Sequence, residues 1–274
     1  MEHIKRNERL SVISQILTST PNIIHTYAEF CEKFGIAKST VSEDIDFITE
    51  AFQKYRIGVV ETLPGAAGGV RYRPYMSKEQ MLSTLTDVAH KLSESGRLLT
   101  GRFLYSSDIA SSPEITSRLG HIIAYKYYDN CPDFVLTMET KGIPIALMTA
   151  KALGCQLVVA RRDTKAYEGS AVKINYMSGA DSERIETMAL SKRAIQSGQK
   201  ALIVDDFAKG GGTLQGMVEM MRECQVEVVG VEVMISTLLP ENKLCKDISS
   251  LLIMKSINRL NNSCEVAANE HYFD

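Results

Sequence analysis

The segment ALIVDDFAKGGGTLQGMVEMM, residues 201–221, constrains this chain more than any other stretch. Four apolar residues ahead of Asp205 and Asp206 read as a buried strand, which passes through a glycine-rich loop into a helix near Thr213. In open α/β sheets ligands bind at the carboxyl ends of strands, where this loop falls. Gly210, Gly211 and Gly212 let successive backbone N–H groups converge on a phosphate, and the helix start adds its positive dipole. The paired carboxylates suit the two hydroxyls of a ribose, so loop and acids together specify a ribose 5-phosphate. Neither the G-x-x-x-x-G-K-[ST] loop nor the G-x-G-x-x-G dinucleotide fingerprint fits. The bland alternative is a tight turn whose acids cap a helix.

The strand belongs to a series. FVLTM (134–138), QLVVA (156–160), ALIVDD (201–206) and EVVGVEVMI (227–235) are apolar and β-prone, with helical segments between them. That alternation predicts a parallel sheet covered by helices. With 274 residues two domains are the better expectation than one large α/β domain, and the style of the sequence changes well before Asp133.

The first part reads as three helices and a hairpin. Leu10, Val12, Ile13, Ile16 and Leu17 recur at helical spacing, and Pro21 closes the segment. A second helix fits Tyr27 to Phe34, stopped by Gly35. A third is expected to take Ser39 or Thr40 as its cap, with Glu43 in the capping-box place, and to run to about Tyr55. Two β-prone runs, Ile57 to Leu63 and Val70 to Tyr72, flank PGAAGG, a strong turn signal. Three helices followed by a hairpin are the plan of a winged helix-turn-helix, ending near Pro74. Further helices fit Lys78 to Leu92 and Pro113 to Tyr127. The expected domains are therefore 1–74, winged helix, and 75–274, an α/β effector-binding domain.

Global composition adds limits only. Apolar residues make up 45% and charged residues 23%, as in ordinary globular chains, and the net charge of −2 gives no overall case for nucleic acid. Residues 1–75 carry nine Lys plus Arg against nine Asp plus Glu, so DNA binding would come from one face, on a dimer. On that face Lys38, Ser39, Thr40 and Ser42 begin the recognition helix, while Lys5, Arg6 and Arg9, with Arg71 and Arg73 after the wing turn, are placed to track the DNA backbone. An inert or protein-binding three-helix module is the alternative. The six cysteines show neither a C-x-x-C pair nor metal spacing with histidine, no metal site is expected, and reduced thiols in the cytoplasm fit. Nothing resembles a signal peptide or a membrane helix.

The loop at 205–213 resembles the phosphoribosyl-pyrophosphate loop of type I phosphoribosyltransferases, and VLTMETKGIPIA resembles their pyrophosphate loop, with wording close to xanthine phosphoribosyltransferases. That resemblance implies that Asp205 and Asp206 bind ribose hydroxyls, that the stretch Phe207, Ala208, Lys209, Gly210, Gly211, Gly212 and Thr213 carries the 5-phosphate cradle, and that Glu139, Thr140, Lys141 and Gly142 hold pyrophosphate. Residues 158–179 occupy the place of the family's lid, where Arg161, Arg162 and Lys165 either neutralise pyrophosphate or form a solvated surface. Phe103 and Tyr105 fall where a hood over a base is expected, or serve as core aromatics. Enzymes of this type commonly carry Asp or Ala where Lys209 stands, and lysine supplies a point charge better than a general base.

A winged helix followed by such a domain, with AKSTVSEDI, PGAAGGV, TKGIP and VDDFAKGGGT, resembles the purine operon repressors of Gram-positive bacteria over nearly the whole chain. The resemblance implies a homodimeric DNA-binding transcription regulator of purine-biosynthesis genes with no catalytic residues and no required cofactor. Its effector would be phosphoribosyl pyrophosphate, alone or with magnesium, and guanosine tetraphosphate would compete for the same site. The alternative is an active purine phosphoribosyltransferase with an accessory N-terminal domain.

Overall fold

The computed structural model describes residues 4–65, 68–99, 103–163, 169–179, 182–258 and 263–274. Lys165, expected in the lid, lies outside them. The chain divides into two compact units, Met1–Ser77 with Lys151–Gly154, and Lys78–Ala150 with Cys155–Asp274.

In the first unit helices α1 (Arg6–Ser19), α2 (Tyr27–Phe34) and α3 (Lys38–Lys54) precede the hairpin β1 (Gly58–Leu63) and β2 (Gly69–Pro74). The strands pair antiparallel from Gly58↔Pro74 to Leu63↔Gly69, and His25 forms a further antiparallel bridge to Val70. Thr26 caps α2, its side chain accepting from the Glu29 N–H at 3.2 Å, and Gly35 ends the helix with φ of 63°. Ile13 and Leu17 of α1, Phe30 of α2, Val41, Ile45, Ile48 and Phe52 of α3, and Val60, Val70 and Tyr72 of the hairpin form one core. Phe52 meets Tyr72 edge-to-face at 5.6 Å.

One local expectation fails here. The cap of α3 is Ala37, whose side chain makes no capping bond, so Ser39 and Thr40 lie inside the first turn and no Thr40–Glu43 box forms. Val41 is fully buried in the core, and the helix begins early enough to carry it there, accepting at the Ala37 carbonyl from the Val41 N–H at 3.2 Å. Tertiary packing overrides the local preference for a polar cap.

In the second unit α4 (Lys78–Ser93), two short strands β3 (Leu98–Leu99) and β4 (Phe103–Leu104), α5 (Ser107–Ala110) and α6 (Pro113–Tyr127) lead into the main sheet. Then come β5 (Phe134–Met138), α7 (Ile143–Leu153), β6 (Gln156–Ala160), β7 (Ala171–Gly179), β8 (Ser182–Ser191), β9 (Lys200–Ala208), α8 (Gly212–Glu223), β10 (Glu227–Thr237), β11 (Ile248–Asn258), β12 (Ser263–Ala268) and a closing 3-10 turn, Glu270–Phe273. The sheet order is β12-β11-β10-β9-β5-β6, parallel throughout except for the antiparallel edge strand β12. From β5 the chain builds outward one way through β6 and the other way through β9, β10 and β11. The crevice between β5 and β9 is therefore the topological switch point, where doubly wound sheets bind ligands. β7 and β8 form a separate hairpin, paired from Ala171↔Ser191 to Gly179↔Ser182.

Candidate functional site

Both candidate loops open at the switch point. Phe134↔Ala201 to Leu136↔Ile203 set β5 beside β9 in parallel, so Glu139–Gly142 and Lys209–Gly212 leave the same end of adjacent strands. β9 runs two residues further than the apolar pattern suggests, with Phe207↔Ile235 and Ala208↔Ser236 still in the ladder, and Ala208 is buried. The turn that remains is Lys209, Gly210 and Gly211, and Gly211 caps α8 in the left-handed region at φ of 73°. A helix start with its first N–H groups aimed out of the turn is an anion site by geometry and dipole. Lys209 is exposed beside it, and the Gly210 carbonyl is fixed by the Leu244 N–H at 2.9 Å.

The acid pair sits against the other loop. Asp205 is buried, its Oδ1 accepting from the Asp206 N–H at 3.0 Å. A Cβ built on Gly142 would lie 2.1 Å from that Oδ1 and 2.5 Å from Thr137 Oγ1, so only glycine allows the pyrophosphate-type loop this close to the acids. Burial first, and the neighbouring Asp206 charge second, hold the Asp205 carboxyl well above the usual carboxylate range. Burial also raises Asp206, and the Lys141 ammonium offsets part of that rise. Because Asp205 binds its proton more tightly folded than unfolded, its contribution to stability is present below about pH 4 and is lost as pH rises through the folded value. Asp205→Asn is therefore expected to raise the melting temperature of the second unit at pH 7, by roughly 2–4 °C per kcal/mol of repulsion relieved. The gain should vanish as pH approaches about 4, where the natural carboxyl is itself protonated. Melting curves across pH check this; a lower melting temperature at pH 7 would refute it.

The arginines of the lid region are already engaged. Arg161 Nη1 lies 3.2 Å from Glu139 Oε2, the Arg162 N–H donates to Glu139 Oε1 at 2.9 Å, and Arg162 Nη1 is 3.8 Å from Glu186 Oε2. Sequence reasoning placed the arginines in the lid but missed Glu186 and Tyr176, which the hairpin brings beside them, Tyr176 donating to Glu186 Oε2 at 2.9 Å. Tyr176 is buried between exposed Asn175 and Met177 on β7, but Met188, Ala189 and Leu190 of β8 are buried in an unbroken run, so no clean alternation marked the hairpin. Phe103 and Tyr105 are 71% and 43% exposed, so they are not core aromatics. They stand on and just after β4, the Tyr105 N–H donating to the Arg97 carbonyl at 2.8 Å.

The first unit sorts the residues expected at DNA into two groups. Lys5, Lys38 and Ser39 are exposed, Thr40 and Ser42 half-buried, the last four lying on the first turns of α3. Arg6 is largely exposed, with Nε 3.1 Å from Asp44 Oδ1 and its guanidinium over the Phe47 ring. Arg9 is a correction: it is buried, with Nε 2.6 Å from Asp44 Oδ2, and Asp44 is itself buried. Its guanidinium is consumed inside the fold. Arg71 and Arg73 are likewise paired within the wing, both to Glu61 at 2.7 and 3.2 Å, and Arg73 also donates to Asn22 Oδ1 at 3.0 Å. One carboxylate thus engages both guanidiniums, where the sequence suggested free cations, and leaves the pair one net positive charge.

Residues 5–74 match the family described as "Bacterial purine repressor, N-terminal", and residues 106–265 match the phosphoribosyl transferase domain family. The purine biosynthesis transcriptional activator PurR of Lactococcus lactis is 41% identical over 263 residues, covering 96% of this chain and 97% of that protein. This chain belongs to the PurR family. The purine biosynthesis transcriptional repressor PurR of Bacillus subtilis is 36% identical over 262 residues, covering 96% of this chain and 92% of that one. Among solved structures, adenine phosphoribosyltransferase from Thermoanaerobacter pseudethanolicus superposes with a TM-score of 0.53 at 18% identity, covering 61% of this chain and 98% of that one. That likeness is one of fold. PurR-family membership joins a purine-repressor N-terminal unit to the phosphoribosyltransferase fold, the combination the sequence motifs pointed to.

Proposed function

We propose that this chain is a DNA-binding regulator of purine-biosynthesis transcription, acting as a cytoplasmic homodimer whose second unit binds phosphoribosyl pyrophosphate without turning it over. The observation that carries the reading is the joint presence of a winged-helix unit of purine-repressor type and an acid pair, glycine turn and helix start assembled at one switch point. Asp205 and Asp206 take the ribose hydroxyls, Lys209 to Thr213 the 5-phosphate, and Glu139 to Gly142 with Arg161 and Arg162 the pyrophosphate. Guanosine tetraphosphate, with anionic groups at both ends of a ribose, competes for the same contacts. Among the described residues no three metal-ligating side chains cluster. A magnesium ion arriving with the ligand would draw its oxygens mainly from phosphates, as that ion commonly does. Among the same residues no helix is long and apolar enough to cross a membrane.

The effector acts by linkage: it changes DNA affinity only through its different affinities for the free and DNA-bound protein. The relatives are an activator in one species and a repressor in another, so the sign is for the measurement to give. The deciding experiment is binding to DNA upstream of a purine-biosynthesis operon at fixed salt, with and without phosphoribosyl pyrophosphate. Specific binding that the ligand shifts at least fivefold is the expected result. No preference over random DNA under any ligand condition would sink the reading. The intact acid pair favours a second reading, an active purine phosphoribosyltransferase, which predicts pyrophosphate release from phosphoribosyl pyrophosphate with xanthine or guanine.

A further inference from the structure

The β7–β8 hairpin packs against the first turns of α8 at one end and carries a line of polar contacts to the Glu139–Gly142 loop at the other. The Tyr176 hydroxyl donates to Glu186 Oε2 at 2.9 Å. Glu186 Oε2 lies 3.8 Å from Arg162 Nη1, and the Arg162 N–H donates to Glu139 Oε1 at 2.9 Å. The line runs from Tyr176 to the pyrophosphate-type loop. Backbone packing supports it at both ends. A Cβ on Gly212 would lie 2.0 Å from the Met177 carbonyl oxygen, and one on Gly216 would meet Tyr176 at 2.9 Å, so the first turns of α8 seat directly on β7. At the other end Ala189 of β8 exchanges both backbone hydrogen bonds with Arg161, at 2.9 and 2.7 Å. Tyr176 is buried in the core with Met188 and Met217, which fixes its ring and leaves the hydroxyl as the polar tip.

We propose that Tyr176 and Glu186 are positioning residues that make binding at the two anionic ends of the ligand mutually reinforcing. The proposal rests on the effector reading above. Without ligand, Glu186 holds the Arg162 guanidinium. A phosphate at the turn, where α8 seats on Tyr176, repels Glu186 by its charge, which loosens Glu186 from Arg162. The Arg162 side chain, 65% exposed, is held by a contact of the weak surface kind and is then released to a second anion. A ligand with phosphates at both ends gains from this exchange, and a ligand with one does not.

The test is calorimetric titration of the full-length protein with ribose 5-phosphate and sodium pyrophosphate, singly and together, at fixed magnesium and ionic strength. In the natural protein each ligand is expected to tighten the other about fivefold, by the same factor in both directions. Two anions placed close together would otherwise weaken one another, so tightening is a demanding result. Glu186→Gln should bring the factor near one while tightening pyrophosphate alone by a similar amount, a gain that loss of a merely structural residue does not give. Tyr176→Phe keeps the packed ring and should also bring the factor near one. Should Tyr176→Phe fail to fold, Glu186→Gln decides alone. A factor of one in the natural protein, or a factor that survives in either folded variant, overturns the proposal. If neither ligand nor phosphoribosyl pyrophosphate binds at all, the effector reading falls and this inference with it; if all bind and the factor is one, only the inference falls.

Discussion

Replacing Asp44 by alanine is expected to unfold the N-terminal unit at physiological temperature and abolish DNA binding, while the second unit keeps its own melting transition. Asp44 and Arg9 have side chains 1% and 7% exposed and meet at 2.6 Å, with Arg9 Nη1 also donating to the Ile4 carbonyl at 3.2 Å. Removing one partner strands a charge in the core between α1 and α3, at a cost of about 3–5 kcal/mol. A single small core of this size rarely supplies more than about 3–5 kcal/mol of net stability, so the loss consumes it. The pair itself is another matter, since its attraction must first offset the desolvation of both groups. The double variant Arg9→Met with Asp44→Leu is therefore expected to recover much of what Asp44→Ala loses. Circular dichroism and calorimetry on the three proteins measure both effects. If Asp44→Ala melts within about 1 kcal/mol of the natural protein, the buried-pair account is wrong.

That pair also shows where sequence reading stopped. Arg9 is one helical step from Ile13 and two from Leu17, on the buried stripe of α1, and Asp44 falls among Val41, Ile45 and Ile48 on that of α3. Opposite charges on two buried stripes announce a core ion pair, whereas counting basic residues near a helix start put Arg9 on the surface. The β9–turn–α8 segment was legible because acids, glycines and helix are contiguous in the chain and each has its own physical signal. The β7–β8 hairpin was not, because its pairing joins Ala171 to Ser191 across a long stretch and its exposed face mixes Lys173, Asn175 and Thr187 with apolar Met177 and Ile185. Tyr176 and Glu186 meet only through that register. Likewise Arg6, Arg9, Arg71 and Arg73 looked free because their acidic partners stand on other elements, Asp44 on α3 and Glu61 on β1 opposite Arg71. Local patterning finds elements and contiguous loops; long-range charge pairing needs the fold.

The second large effect is expected from Gly142→Ala, which should weaken phosphoribosyl pyrophosphate binding at least a hundredfold and leave DNA affinity without effector unchanged. The added methyl would collide with Asp205 Oδ1 and Thr137 Oγ1, 2.1 and 2.5 Å from its ideal position. Neither neighbour gives way cheaply: Thr137 and Asp205 are both buried on adjacent strands, and Asp205 Oδ1 is the acceptor for the Asp206 N–H. Either the carboxylate turns out of the position proposed for a ribose hydroxyl, or the Glu139–Gly142 loop moves off the acids. Overpacking of this kind costs about 1–3 kcal/mol, and a lost hydrogen bond to a charged group about 1.5–3 kcal/mol, which together reach a hundredfold in affinity. The winged-helix unit contains none of these atoms. The variant should therefore bind operator DNA like the natural protein and ignore the ligand, a regulator fixed in its effector-free state. Titration calorimetry and DNA binding on the same preparation separate the outcomes. Undiminished ligand binding would show that the effector does not lie between the two loops, and lost DNA binding at normal ligand affinity would show that Gly142 acts through the coupling of the units instead.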